Sequence, residues 1–160
     1  MSEATRTASQ SPPPMAPADE CSIATTLQVI GDRWTMLILR DIFRGVRRFG
    51  QLQSDLGIAK NILSERLQRL VDHGVLEQVP YQQRPLRHEY RLTQKGADLS
   101  PALVAIMHWG DRWYAEQPPT VLVHADCGTP LENVTRCPQC SEEIAPSHIS
   151  SRPGPEGTHK

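Results

Sequence analysis

Phe49-Gly-Gln-Leu52-Gln-Ser-Asp-Leu56-Gly57-Ile-Ala-Lys60-Asn61-Ile-Leu63-Ser64-Glu65-Arg66-Leu67-Gln68-Arg69-Leu70-Val71-Asp72-His73-Gly74 carries two apolar stripes at helical spacing, separated by a glycine. Leu52 and Leu56 point inward from a short helix that Gly57 closes. Leu63, Leu67, Leu70 and Val71 share one face of a longer helix, from about Ala59 to His73, with Gly74 as its stop. Only Leu56 to Ala59 separate the two helices. So short a connection holds them at a steep angle, and this is the turn of a helix-turn-helix.

Upstream, Ile23, Leu27 and Ile30 recur at helical spacing after Cys21. Asp32 reads as the N-cap of a second helix with Trp34, Leu37, Ile38 and Ile42 as its buried stripe, ending near Arg44 and Gly45. Downstream the period changes to two. Val75, Glu77 and Val79 alternate with Leu76, Gln78 and Pro80, residues 81–86 with Pro85 make a turn, and Arg87 to Leu92 return as a second strand. Thr93 caps a last helix to about Glu116, which Pro101 either kinks or restarts with Ser100 as a new cap. The order predicts a mainly α winged helix-turn-helix domain over residues 21–116, with a small β-hairpin as the wing.

In such a domain the N-terminal part of the second helix of the motif reaches base edges. That selects Lys60, Asn61, Ser64 and Glu65, with Gln68 on the same face. Arg66 and Arg69 suit phosphates or the fixing of the helix. Arg84 in the hairpin loop and Arg87 on the returning strand supply a basic wing. A solvated helix face and a surface hairpin are the plain alternatives.

Charge distribution agrees with a polyanionic partner, double-stranded DNA. The net charge is -1, yet residues 31–91 hold eleven Arg and Lys against seven Asp and Glu, an excess of +4 inside an otherwise acidic chain. Hydrophobic residues make up 38% and aromatics 5%, which suits a small helical domain with an aliphatic core. No apolar stretch is long enough to span a bilayer and the N-terminus has no apolar block, so a soluble, cytoplasmic protein is expected. Residues 1–20 and 150–160, rich in Pro, Ser, Ala or Gly, are expected to be disordered tails.

Residues 117–149 hold His124-x2-Cys127, nine intervening residues, then Cys137-x2-Cys140. Each pair puts two ligands on one tight turn, and two such turns complete a tetrahedron around structural Zn²⁺. His148 is the alternative fourth ligand, and free thiols or a redox pair are the other readings of these cysteines. Cys21 stands apart ahead of the first helix, where a thiol is either reactive toward oxidants or partly buried and inert.

The stretches Gly31-Asp-Arg-Trp-Thr-Met-Leu-Ile-Leu-Arg40, Arg48-Phe-Gly-Gln-Leu52, Leu63-Ser-Glu-Arg-Leu67, His73-Gly-Val-Leu76 and Glu89-Tyr-Arg-Leu-Thr93, with Trp109 downstream, resemble the HxlR family of winged-helix regulators. The likeness runs from about Cys21 to Tyr114 in order and at matching spacing. It implies a homodimer formed mainly by the first and last helices, with Leu63–Leu70 in the recognition helix. Pro85-Leu-Arg87 departs from the double-proline turn often found there. Similar C-terminal segments occur in some family members, and some members use a cysteine placed like Cys21 to sense oxidants or aldehydes. A redox or small-molecule effector is therefore expected. Leu99, Leu103, Ile106, Trp109 and Trp113 lie at helical spacing and offer more apolar surface than one small domain can cover, so the last helix is expected to meet a partner, with Leu27 and Ile30 contributing. Two rival functions are a winged-helix protein-interaction module without DNA and a zinc-dependent enzyme. The second needs an open metal position and a general base, whereas here four ligands lie in one short segment.

Overall fold

The computed structural model describes residues 21–151, so both predicted tails lie almost wholly outside the described residues. Six helices and one antiparallel hairpin follow in the order α1 (Ser22–Ile30), α2 (Arg33–Phe43), α3 (Phe49–Leu56), α4 (Lys60–Asp72), β1 (Leu76–Gln83), β2 (Leu86–Leu92), α5 (Gln94–Ala97) and α6 (Ser100–Tyr114).

The core sits where α2, α3, α4 and the start of β1 meet. Leu63, Leu67 and Leu70 of α4 are fully buried against Ile38 and Leu39 of α2 and Leu52 of α3, and Ile58 anchors the α3–α4 turn from inside. Gly57 takes φ 60°, ψ 27°, a left-handed conformation that side-chain-bearing residues adopt only at a cost of about 1–2 kcal/mol. Leu56, expected in the turn, is the last residue of α3, so Gly57 redirects the chain within only three residues, 57–59.

Asp32 caps α2 as expected, accepting hydrogen bonds from the N–H groups of Trp34 and Thr35, both at 3.1 Å. The buried residues of α2 are Thr35, Ile38, Leu39, Asp41 and Ile42, with Trp34 and Leu37 only half-buried. The face is rotated from the predicted one because Thr35, turned inward, gives its hydroxyl to the same carboxylate.

The strands run further than the alternation predicts. Gln82 pairs with Arg87 and Gln83 with Leu86, after a register shift between Pro80 and Gln82, so only Arg84 and Pro85 form the tip. Pro80 is tolerated because a two-stranded sheet has only edge strands. Thr93 caps α5 by accepting from the Gly96 N–H at 3.2 Å. The helical run then restarts at Ser100 with Pro101 in its first turn; Leu99, not Ser100, holds the cap position, with no side-chain cap bond.

Two helices keep apolar surface uncovered. No residue of α6 is buried: Leu103 packs partly on the core, while Ile106, Trp109 and Trp113 remain 55%, 57% and 63% exposed. On α1, Ile30 is spent inside the chain's own core and Leu27 is 55% exposed, so Leu27 alone of the expected pair stays free.

Candidate nucleic-acid interface

Helix α4 is held rigidly from behind. Besides the leucine face, Arg66 reaches back so that its Nε donates to Asp32 Oδ1 at 3.1 Å, and its Nη1 donates to Glu65 at 2.6 Å. Arg69 donates to the backbone carbonyl of Gln28 in α1. These two arginines therefore fasten the helix to its neighbours, the second of the two roles their positions allow. Lys60, Asn61, Ser64 and Glu65 stand exposed at the N-terminal half of α4, and Gln68 is tied to Asp72 one turn on at 2.7 Å.

The tie between Arg66 and Asp32 has a pH signature. Burial raises the Asp32 carboxyl, but the bonds from the Thr35 hydroxyl, the Thr35 N–H and Arg66 outweigh it and hold the group below its ordinary value of 3.8. A depressed carboxylate contributes stability that is complete above its unfolded value and disappears as pH falls through the folded one. Replacement D32A is expected to cost about 1–2 kcal/mol of unfolding free energy at neutral pH. The difference from wild type should narrow in acid below the ordinary carboxylate range. Urea melts across pH measure it, and a D32A deficit that stays constant into acid would contradict the tie.

The wing is pinned to the start of α3. Arg47 O accepts from Tyr90 N at 2.8 Å, Arg48 forms an isolated bridge with Glu89, and the Arg48 guanidinium lies 4.3 Å from the centre of the Tyr81 ring. A cleft of about 330 Å³ opens beside them, lined by Arg48, Phe49, Gln78, Arg87, His88 and Tyr90. Burial raises the Tyr90 phenol above its ordinary value, partly offset by Gln78. Arg84 at the tip and Arg87 on β2 are exposed, as are Arg47 and Arg48. Arg47 and Arg48 escaped the sequence-based choice of contacts. The signal was the Arg-Arg doublet at the entry to α3, legible as an interface only once β2 is seen to lie against it.

Residues 29–118 match the HxlR-like helix-turn-helix family, more than half of the chain. The chain belongs to the HxlR-like helix-turn-helix family. An uncharacterised HTH-type transcriptional regulator of Mycobacterium bovis is 47% identical over 136 residues, which cover 84% of this chain and 86% of that protein. The solved structure of PA1607, a candidate transcription factor, superposes with a TM-score of 0.76 at 42% identity, covering 83% of this chain and 94% of that one. The redox regulator HypR in its reduced form gives a TM-score of 0.54 at 28% identity over 57% of this chain and 92% of its own. This HxlR-family chain is thereby placed among helix-turn-helix transcriptional regulators and not among enzymes. Among the described residues no helix is long and apolar enough to cross a membrane.

The remaining site residues of this family member lie outside the helix-turn-helix. Cys21 occupies the N-cap position of α1, half-buried, with no second cysteine in the helical domain. His124, Cys127, Cys137 and Cys140 sit on two separate turns after α6, and among the described residues no three of His, Cys, Asp or Glu are gathered for a metal ion. The Cys127 thiol is brought down from 9.0 to about 7, chiefly by the Thr129 hydroxyl, then by the Thr129 N–H and His124. N–H groups of Cys140 and Gln139 lower the Cys137 thiol in the same way. His148 is exposed in a 3-10 turn, Pro146–His148.

Proposed function

We propose that the chain is a sequence-specific DNA-binding transcriptional regulator that acts as a homodimer. The observation that carries this reading is the division of α4 into two faces. Leu63, Leu67, Leu70, Arg66 and Arg69 lock one face to the body, and Lys60, Asn61, Ser64 and Glu65 are left exposed at its N-terminal half. Asn61 and Ser64 carry the donors and acceptors that base edges require, and Lys60 adds a cation. Arg47, Arg48, Arg84 and Arg87 extend the basic surface along the wing, where phosphate contacts fix register. Relatives described as transcriptional regulators support the same reading.

The two kinds of contact separate by mutation. Against duplexes selected from genomic fragments, N61A and S64A are expected to change which site is preferred, by about 1–3 kcal/mol for each base no longer read. R84Q should instead weaken binding to every duplex alike. Uniform effects of all three would contradict base reading by α4, and wild-type protein without DNA affinity would favour a protein-interaction module.

Responsiveness is assigned to Cys21, at the N-cap position of the helix that offers Leu27 to the partner; likeness to the redox regulator HypR supports a redox response. With a thiol oxidant such as diamide, two Cys21 thiols would lose their protons and two electrons and join as an intersubunit disulfide. DNA affinity is expected to change in wild type and to stay constant in C21S. An equal response in both would remove Cys21 from the function.

A further inference from the structure

The segment after α6 contains a structural repeat. In its first hairpin the N–H groups of His124, Gly128 and Leu131 donate to the carbonyls of Thr129, His124 and Leu122, each at 2.8 Å. In the second, the N–H groups of Cys137, Ser141 and Ile144 donate to Glu142, Cys137 and Thr135 at 3.0, 2.9 and 2.8 Å. Every donor and acceptor is displaced by thirteen residues, the interval from His124 to Cys137. The isolated bridges Val123 with Pro130 and Arg136 with Glu143 keep that interval. So do the left-handed residues that end each turn, Gly128 at φ 70° and Ser141 at φ 61°. Ser141 is the single non-glycine residue with positive φ among the described residues, a conformation that persists only where its surroundings over-determine it.

The repeat places His124 where the second turn has Cys137, and Cys127 where it has Cys140. His124 Nδ1 lies 3.2 Å from Cys127 Sγ. Two ligands of one tetrahedral zinc, with Zn–S near 2.3 Å and Zn–N near 2.0–2.1 Å, stand about 3.5 Å apart. On the other edge of the ring, His124 Nε2 faces Asp126 Oδ2 at 3.7 Å, the side from which a carboxylate orients a metal-bound imidazole. The segment has no hydrophobic core of its own. From Glu116 to Ser151 no residue is buried, and only Leu122, Cys137 and Ile144 are half-buried. Two ordered turns without a core need another cross-link.

We propose that this segment is a ribbon closed by one Zn²⁺ per chain, held by His124, Cys127, Cys137 and Cys140, with the three thiols losing their protons on binding. Three thiolates and an imidazole suit a soft divalent ion. Each turn presents its own pair with no third ligand gathered beside it among the described residues, so binding one ion would draw the pairs together across the link 132–134, whose residues are all exposed. The repeat selects His124 over His148, because His148 has no counterpart in the other hairpin.

The test uses the reduced full chain, freed of metal and titrated with Zn²⁺ alone against a chromophoric chelator, then with Co²⁺. One ion per chain is expected, with the visible bands of tetrahedral cobalt bound to three sulfurs and one nitrogen. Zinc should slow alkylation of Cys127, Cys137 and Cys140 in wild type and leave Cys21 unchanged, a readout that needs no variant. H124A should weaken affinity at least tenfold and H148A should leave it unchanged. Absence of saturable zinc uptake, unprotected thiols, or loss of metal in H148A but not H124A would overturn the proposal.

Discussion

I106D is expected to leave the chain monomeric and to lower its affinity for a two-half-site operator by about 100-fold or more, the advantage that linking two binding events confers. The physical ground is the uncovered stripe. Leu27, Ile106, Trp109 and Trp113 are each more than half exposed, and burying such a side chain contributes about 1.5–3 kcal/mol. A stable interface buries about 1,200–2,000 Å² in total, within reach of two copies of a fifteen-residue helix joined by α1. A carboxylate at Ile106 would have to leave water without a partner, which undoes that gain. Sedimentation at micromolar protein should give a species of twice 17.9 kDa for wild type and 17.9 kDa for the variant. Wild type sedimenting at the chain mass would reject the dimer, and a dimeric I106D would move the interface away from α6.

The second large effect is with salt. Lys60, Arg47, Arg48, Arg84 and Arg87 are the exposed cations of the proposed face, five per chain and ten per dimer. If about 6–10 of them neutralise phosphates, affinity should fall by about 10³–10⁵ between roughly 50 and 200 mM salt as counterions are released. R84Q removes one cation per chain and should flatten the logarithmic slope by about 0.9 for each phosphate no longer neutralised. Titrations of a labelled duplex over that range measure both quantities. A flat salt response would contradict phosphate contact by the wing and the α3 entry.

Helix order was legible where a boundary carries a local signal: Asp32 and Thr93 cap, and Gly57 closes α3. The phase of α2 was not, since Thr35 is drawn inward by a carboxylate three residues earlier, which hydrophobic spacing cannot register. The division of labour on α4 was only half legible. Its outward polar residues follow from the leucine period, but the inward roles of Arg66 and Arg69 depend on Asp32 and Gln28, brought close only by the packing of α1 and α2. Arg48 gains its place because β2 bridges the α3 entry at Glu89 while β1 supplies the Tyr81 ring beside its guanidinium, long-range contacts with no sequence period. Ile30 shows the converse: the spacing that marks it as apolar does not say whether it serves its own core or a partner, and the core takes it.

The most direct test of the central claim is the ratio of wild-type affinity for a selected genomic duplex to that for a scrambled duplex of equal length, at fixed physiological salt. A dimer reading base edges through the exposed half of α4 should give a ratio of about 10³ or more, with half-sites spaced about 34–36 Å apart. Equal affinity for the two duplexes would contradict a sequence-specific regulator.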